Sequence, residues 1–151
     1  MADPTTGTGF ALALERTIAA PPERVFDAFT QAQQLARWFG PTDEYTVTVH
    51  ALEARAGGRY RVEMKHSGGN VHFVAGTYEQ FSRPNRLVFS WAWETRPEFG
   101  TSRITVSFEP KGAGTRVSLV QEQLPTVESR EAHGHGWNGS LDKLVRLYAG
   151  H

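Results

Sequence analysis

The chain has 151 residues, no cysteine, and 16 basic against 16 acidic side chains, so its formal charge is zero. The cysteine count excludes disulfides, thiolate zinc sites, iron–sulfur ligation and cysteine nucleophiles. The balanced charge removes the electrostatic footprint of a nucleic-acid or anionic-membrane binder, and the length is that of one domain burying about 70% of its unfolded surface.

Residues 1–9 are small, polar and rich in Gly and Thr, and are expected to form a disordered tail. Residues 10–151 are expected to form a single domain. The start has neither a basic segment nor an apolar core of the secretory kind, and no run of about 18 apolar residues occurs. A cytoplasmic protein without a membrane span is the expectation.

Phe10, Leu12 and Leu14 alternate, which predicts a first strand over FALALERTI. PPERVFDAFT places proline at a helix start, Glu23 in the first turn and Val25, Phe26 and Phe29 on one face, a short amphipathic helix. QAQQLARWFG predicts a second short helix, stopped at Gly40-Pro41.

From Tyr45 to Leu124 the period changes to two. Six β-rich runs follow, separated by ARAGG, SGGN, SRPN, TRPEFG and KGAG, which are turn compositions. Connections this short join hairpins, so the sheet is an antiparallel meander. Tyr60, Val62, Met64 and His66 share one face. So do Leu87, Phe89, Trp91 and Trp93; Ile104, Val106 and Phe108; and Val117, Leu119, Gln121 and Gln123. The opposite faces are polar, as in a sheet with one wet side. In VHFVAGTYEQF the inward parity is open: Val71, Phe73 and Ala75 suggest one face, Val74 and Tyr78 the other.

Trp137, Leu141, Leu144, Val145 and Tyr148 form one helical stripe. A helix from about Ser129 to Ala149 would be roughly 30 Å long. The fold class is therefore α+β: a curled seven-stranded antiparallel sheet, two short helices, and a long C-terminal helix across the concave face. Such a sheet and helix need not meet everywhere, which leaves room for an apolar cavity.

His133 and His135 suggest half of a metal site, but residues two apart diverge by roughly 200° on a helix. Helical metal pairs need a spacing of four, and His50, His66 and His72 fall on different strands, so no metal site is expected. Glu94 and Glu98 flank Arg96 in WETRPEF and are expected to be a solvated turn rather than an acid–base pair. Gly57-Gly58 suits a hairpin turn better than an anion nest. His66 and Gln121 are the polar residues whose parity puts them among inward apolar neighbours.

PPERVFDAFT, ARWFGP, EARAGGRYRVEM, GTYEQFSRPNRLVFSWAW and HGWNGSLDKL, in that order, resemble the SRPBCC superfamily. Within it the sequence is similar to the group homologous to the C-terminal domain of the heat-shock protein 90 ATPase activator. The resemblance covers about Leu12 to Tyr148. It implies a helix-grip (START-like, birch-pollen-allergen-like) fold with a hydrophobic ligand cavity, and no single activity. The family's usual Arg-Pro-Gly-Gly turn is Arg55-Ala56-Gly57-Gly58 here. The eukaryotic co-chaperone carries an additional N-terminal domain that binds the chaperone; here nine residues precede the first strand, so that activity is not expected.

The expected function is binding of a small hydrophobic or aromatic molecule between sheet and C-terminal helix, without a cofactor, by a monomer or weak homodimer. The expected lining is Trp38, Tyr60, Val62, Met64, His66, Phe73, Phe89, Trp91, Trp93, Val106, Leu119, Gln121, Trp137 and Leu141. Two alternatives stand beside it. A cyclase- or hydrolase-type enzyme would need a buried titratable group with a shifted pKa in the cavity. A co-chaperone-like interaction module would need a large exposed apolar patch and a filled interior. A cavity below roughly 100 Å³ would rule out a ligand carrier, since drug-sized pockets begin near 300 Å³.

Overall fold

A computed structural model of the chain describes residues 9–149. All but the last residue of the expected tail lies outside the described residues. The elements are β1 (Phe10–Ile18), α1 (Pro22–Thr30), α2 (Ala32–Trp38), β2 (Tyr45–Leu52), β3 (Arg59–His66), β4 (Val71–Ser82), β5 (Arg86–Trp93), β6 (Thr101–Lys111), β7 (Gly114–Leu124) and α3 (Val127–Tyr148), with a 3₁₀ turn at Pro97–Phe99. The strands form one antiparallel sheet in the order β1-β7-β6-β5-β4-β3-β2. The sheet is α+β in the helix-grip manner: open at its β1 and β2 edges, with a long C-terminal helix.

Proline 22 opens α1, where a missing N–H costs nothing. Val25, Phe26, Ala28 and Phe29 then face inward. Phe26 and Phe29 meet Phe108 of β6 at 5.2 and 5.3 Å between ring centroids, and Phe29 meets Trp38 at 4.6 Å. Trp38 is wholly buried and donates its indole N–H to the Ala28 carbonyl, 2.9 Å away. The two short helices are thus one aromatic plug closing an end of the sheet.

The four β-faces expected to be apolar do turn inward, with two corrections. The inward side of β4 is the even one: Val74 and Tyr78 are buried, and Val74 stands opposite Val62 of β3. Phe73 pairs instead with Glu63 and lies on the outer face, where the Arg61 guanidinium covers its ring at 4.2 Å. A bulge between Tyr78 and Gln80 then switches parity, so that Phe81 faces inward against Phe26 at 5.2 Å. Val71, Phe73 and Ala75 all precede the bulge and stand opposite Lys65, Glu63 and Arg61 on the outer face, so the bulge accounts only for Phe81. On β7, Gln121 is fully buried but Gln123 is exposed with φ of 69°, a left-handed conformation that breaks the alternation and turns Leu124 inward instead.

Helix α3 starts two residues earlier than its apolar stripe suggests. Thr126 caps it, its hydroxyl accepting from the Ser129 N–H at 3.0 Å. Its inward row is Ser129, His133, Trp137, Ser140, Leu141, Leu144 and Tyr148. The row begins with a serine and a histidine because the first turns face a polar network rather than the oily centre. Among the described residues no helix is long and apolar enough to cross a membrane.

Candidate functional site

The site grows out of the N-terminal half of α3, the ends of β3 and β5, the 3₁₀ turn and the loop after α2. That loop is pinned to the helix. Gly40, at φ of 106°, donates its N–H to the Ser140 hydroxyl at 3.0 Å, and the Lys143 ammonium donates to the carbonyls of Phe39 and Thr42 at 3.3 and 3.1 Å. Partial burial lowers the Lys143 pKa. The loop can lie this close because position 139 has no side chain. A Cβ there would collide with the Pro41 carbonyl oxygen and stand 2.8 Å from its carbon.

Trp137 reaches from the helix to the sheet and donates its indole N–H to Gln121 Oε1 at 3.0 Å. The Gln121 amide nitrogen donates to the Ser102 hydroxyl at 2.8 Å, and that hydroxyl donates to the Trp91 carbonyl at 3.4 Å. The fully buried Gln121 is thus satisfied by protein on both sides, as a buried amide must be.

One turn earlier His133 is held as firmly. Its Nδ1 lies 2.7 Å from the Ser129 carbonyl, which can only accept, so Nδ1 carries the proton. Nε2 therefore presents its lone pair, and Trp93 donates its indole N–H to it at 2.8 Å. Burial depresses the His133 pKa, against a smaller opposing effect from the Ser129 carbonyl. The imidazole is neutral at pH 7, and both ring nitrogens are engaged.

These contacts frame an aromatic cleft lined by Phe39, Pro41, Met64, Trp91, Trp93, Phe99, His133, Gly136 and Trp137, with about 110 Å³ of free space. Trp91 is its hub, with ring centroids 5.3 Å from Trp137, 5.4 Å from Trp93 and 5.9 Å from Phe39. The cleft widens into a mouth of about 220 Å³ bounded by Tyr45, His72, Arg96 and Ala132, sharing Pro41, Met64, Trp93 and Phe99. Below Trp91 and Trp137, towards the plug, about 30 Å³ remains.

The residues expected to line a cavity therefore separate by depth. Met64, Trp91, Trp93 and Trp137 border the cleft. Trp38, Tyr60, Val62 and Phe89 border only the small void beneath it. Val106, Leu119 and Leu141 are fully buried core, and Gln121 stands behind Trp137 as its acceptor. His66 sits at the rim, its ring 5.0 Å from that of Tyr45 and its Nδ1 accepting from the Gly68 N–H. Phe73 is on the far face. Phe39, Phe99 and His133 also border the cleft, though none is among the expected lining. His133 had a signal, four residues before Trp137 on the same helical face; Phe99 had none, sitting in a run that reads as a solvated turn.

Glu94 and Glu98 do not face each other: Arg61 holds the first at 2.9 Å and Arg96 the second at 2.6 Å. Each arginine's hydrogen bond keeps its carboxylate pKa low. Among the described residues no three His, Asp or Glu side chains gather to hold a metal ion.

The family described as Activator of Hsp90 ATPase homolog 1-like protein matches residues 19–149. The chain belongs to that family. No curated protein matches the chain significantly. Among solved structures, a protein of Chromobacterium violaceum is 30% identical with a TM-score of 0.86, covering 93% of this chain and 98% of its own. The AHSA1 protein of Silicibacter pomeroyi is 26% identical with a TM-score of 0.82 over the same shares. A Mycobacterium smegmatis protein, 19% identical with a TM-score of 0.82 over 97% of this chain and 94% of its own, shares the fold. The activator family's fold thus extends over the whole of α3, including the segment that carries His133 and Trp137.

Proposed function

We propose that the protein binds a small apolar or aromatic molecule in the cleft between α3, the 3₁₀ turn and the loop after α2. One observation carries this: Phe39, Trp91, Trp93, Phe99 and Trp137 converge on free space, while the indole N–H groups of Trp93 and Trp137 are already spent on His133 and Gln121. A wall of ring faces with its polar atoms turned away offers burial at about 25 cal/mol per Å². Cleft and mouth together just reach the roughly 300 Å³ at which drug-sized pockets begin. We take the protein to act in the cytoplasm, a reading supported by its cysteine-free composition, and to do so as a monomer or weak dimer.

The enzymatic alternative has a candidate in His133, a buried histidine with a lowered pKa in the cleft wall. Its two nitrogens are both hydrogen-bonded within the protein, so proton transfer would first require breaking the contact with Trp93 or with Ser129. An interaction module is supported less. The exposed large apolar side chains among the described residues are Phe10, Val120 and Val127, and the Arg130 guanidinium lies over the Phe10 ring at 5.6 Å.

Titration with naphthalene, followed by the aromatic NMR resonances, tests the proposal. Saturable shifts centred on Trp91, Trp93, Phe99 and Trp137, abolished in Gly136→Leu, are expected. Shifts scattered over the surface, or none at all, would refute it. Native mass spectrometry of protein purified from its own host should show a retained small molecule.

A further inference from the structure

We propose that the protein has a second site, where α1, α2 and the C-terminal end of α3 meet, and that it takes a small organic phosphate. It is separate from the aromatic cleft and does not depend on what the cleft binds.

The three helices border about 340 Å³ of free space between Arg24 and Asp27 of α1, Gln34 and Arg37 of α2, and Leu147 and Tyr148 of α3. Arg24 and Asp27 are three apart, as are Gln34 and Arg37, so each pair projects from one face of its helix. None of these residues lines the cleft, whose inner wall carries no Lys, Arg, Asp or Glu. The two spaces are opposite in chemistry.

The charges of the second space do not cancel within it. Asp27 is the acid in its wall, and Arg83 takes both carboxylate oxygens from outside, at 2.9 Å each. Arg24 and Arg37 have no carboxylate partner among the described residues, whereas Arg61, Arg96 and Arg116 each hold one. Arg24 is also fixed in place. Its guanidinium lies 5.0 Å over the ring of Tyr148, itself only 5% exposed, which sets the charge against one wall of the space. Two negative contributions oppose the pair. The carbonyl end of α3 is worth about half a charge, and Glu23 acts on Arg83 beside Asp27. Neither reaches the two full charges of Arg24 and Arg37.

That arrangement points to a phosphate monoester. Each guanidinium is a rigid fork of donors suited to an oxyanion, and a phosphate monoester brings three acceptor oxygens and about −1.5 to −2 charge at pH 7. A carboxylate brings two oxygens and one charge. Leu147 and the Tyr148 ring give the space an apolar side, where the organic part of an ester can lie. The volume falls in the range of small-molecule pockets, which begin near 300 Å³.

Phenyl phosphate, inorganic phosphate, benzoate and benzyl alcohol separate the possibilities when titrated into the full chain. The arginine Nε–H signals in NMR spectra of ¹⁵N-labelled protein report where each one binds. Saturable shifts centred on Arg24 and Arg37 are expected with phenyl phosphate, weaker ones with inorganic phosphate and benzoate, and none with benzyl alcohol. An exposed ion pair is worth at most about fivefold in affinity. Arg37→Gln should therefore weaken phenyl phosphate by up to about fivefold, and Arg24→Gln with Arg37→Gln should abolish saturation. Arg59→Gln removes the same charge from the outer face of the sheet and should change little. Arg24 and Arg37 are exposed, so the variants should keep the fold and bind naphthalene as before. An equal loss in Arg59→Gln, or shifts that never saturate or spread evenly over the arginines, would overturn the site. Benzoate or benzyl alcohol binding as tightly as phenyl phosphate would overturn its assignment to a phosphate. Failure of naphthalene to bind anywhere would count against the cleft alone.

Discussion

Two glycines in α3 make opposite predictions for the same substitution. Gly134 and Gly139 both lie in helix interior, where glycine costs about 1 kcal/mol relative to alanine. At Gly134 a new Cβ would meet nothing within 4 Å. Gly134→Ala should therefore stabilise by about 0.5–1 kcal/mol, raising Tm by roughly 1–4 °C for a chain of this size. At Gly139 the Cβ would collide with the Pro41 carbonyl oxygen and stand 2.8 and 3.1 Å from Pro41 C and Cα. All three atoms are backbone, held by the Gly40–Ser140 and Lys143–Thr42 hydrogen bonds, so neither side can yield cheaply. Overpacking of this kind costs about 1–3 kcal/mol or more, which outweighs the propensity gain. Gly139→Ala should lower Tm by a few degrees and, by pushing Pro41, weaken naphthalene binding. Thermal unfolding followed by far-UV circular dichroism reads both variants. Equal stabilisation by the two alanines would show that the loop does not lie where the structure puts it.

Gln121→Leu keeps the volume but strips the buried Trp137 N–H of its acceptor, a loss of about 1–3 kcal/mol in urea unfolding. A change below 0.5 kcal/mol would mean that the contact is not made. Because burial lowers the His133 pKa, the unfolded chain takes up a proton that the folded chain refuses; stability should fall as pH drops below the ordinary value of 6.5. His133→Gln should flatten that part of the profile, and an unchanged slope would refute the assignment. At the alkaline end, burial raises the pKa values of Tyr60 and Tyr78, so stability should fall as pH rises above 10. Difference absorbance at 295 nm should show neither tyrosine ionising before unfolding. Phe99→Ala removes a half-exposed cleft wall and should weaken naphthalene binding at least about threefold while costing under about 1 kcal/mol of stability.

The sheet was legible because alternation is a local signal: Tyr60, Val62 and Met64 face inward whatever they face. The exceptions are where backbone geometry, invisible in the residue pattern, resets the count. The bulge after Tyr78 leaves Phe73 and Phe81 with the same parity in sequence and opposite faces in space. The left-handed turn at Gln123 does the same on β7. The site was less legible than the fold, because side chains were sorted by which way they point and not by how deep they lie. Trp38 and Trp91 look alike as buried aromatics, yet the first fills the plug and the second borders the cleft.

That depth ordering follows from how the sheet and α3 are tied together. Large rings alone would leave the helix free to ride away from the strands and open a deep cavity. Here Trp137 is bonded across the gap to Gln121, and His133 to Trp93, so the helix is drawn onto β7 and β5 at two successive turns. Between those bonds and the aromatic plug of Phe26, Phe29 and Trp38, only about 30 Å³ stays empty, on the scale of one water molecule. Space survives alongside those ties, over Ala132 to Ser140 of the helix, where the facing wall comes from the 3₁₀ turn and the loop that Gly139 lets approach. The loop wall is tied to α3 by the Gly40–Ser140 and Lys143–Thr42 hydrogen bonds, which leaves the short 3₁₀ turn as the wall that moves most readily. Widening the cleft therefore means displacing Phe99, which disturbs none of the polar ties that hold the helix to the sheet.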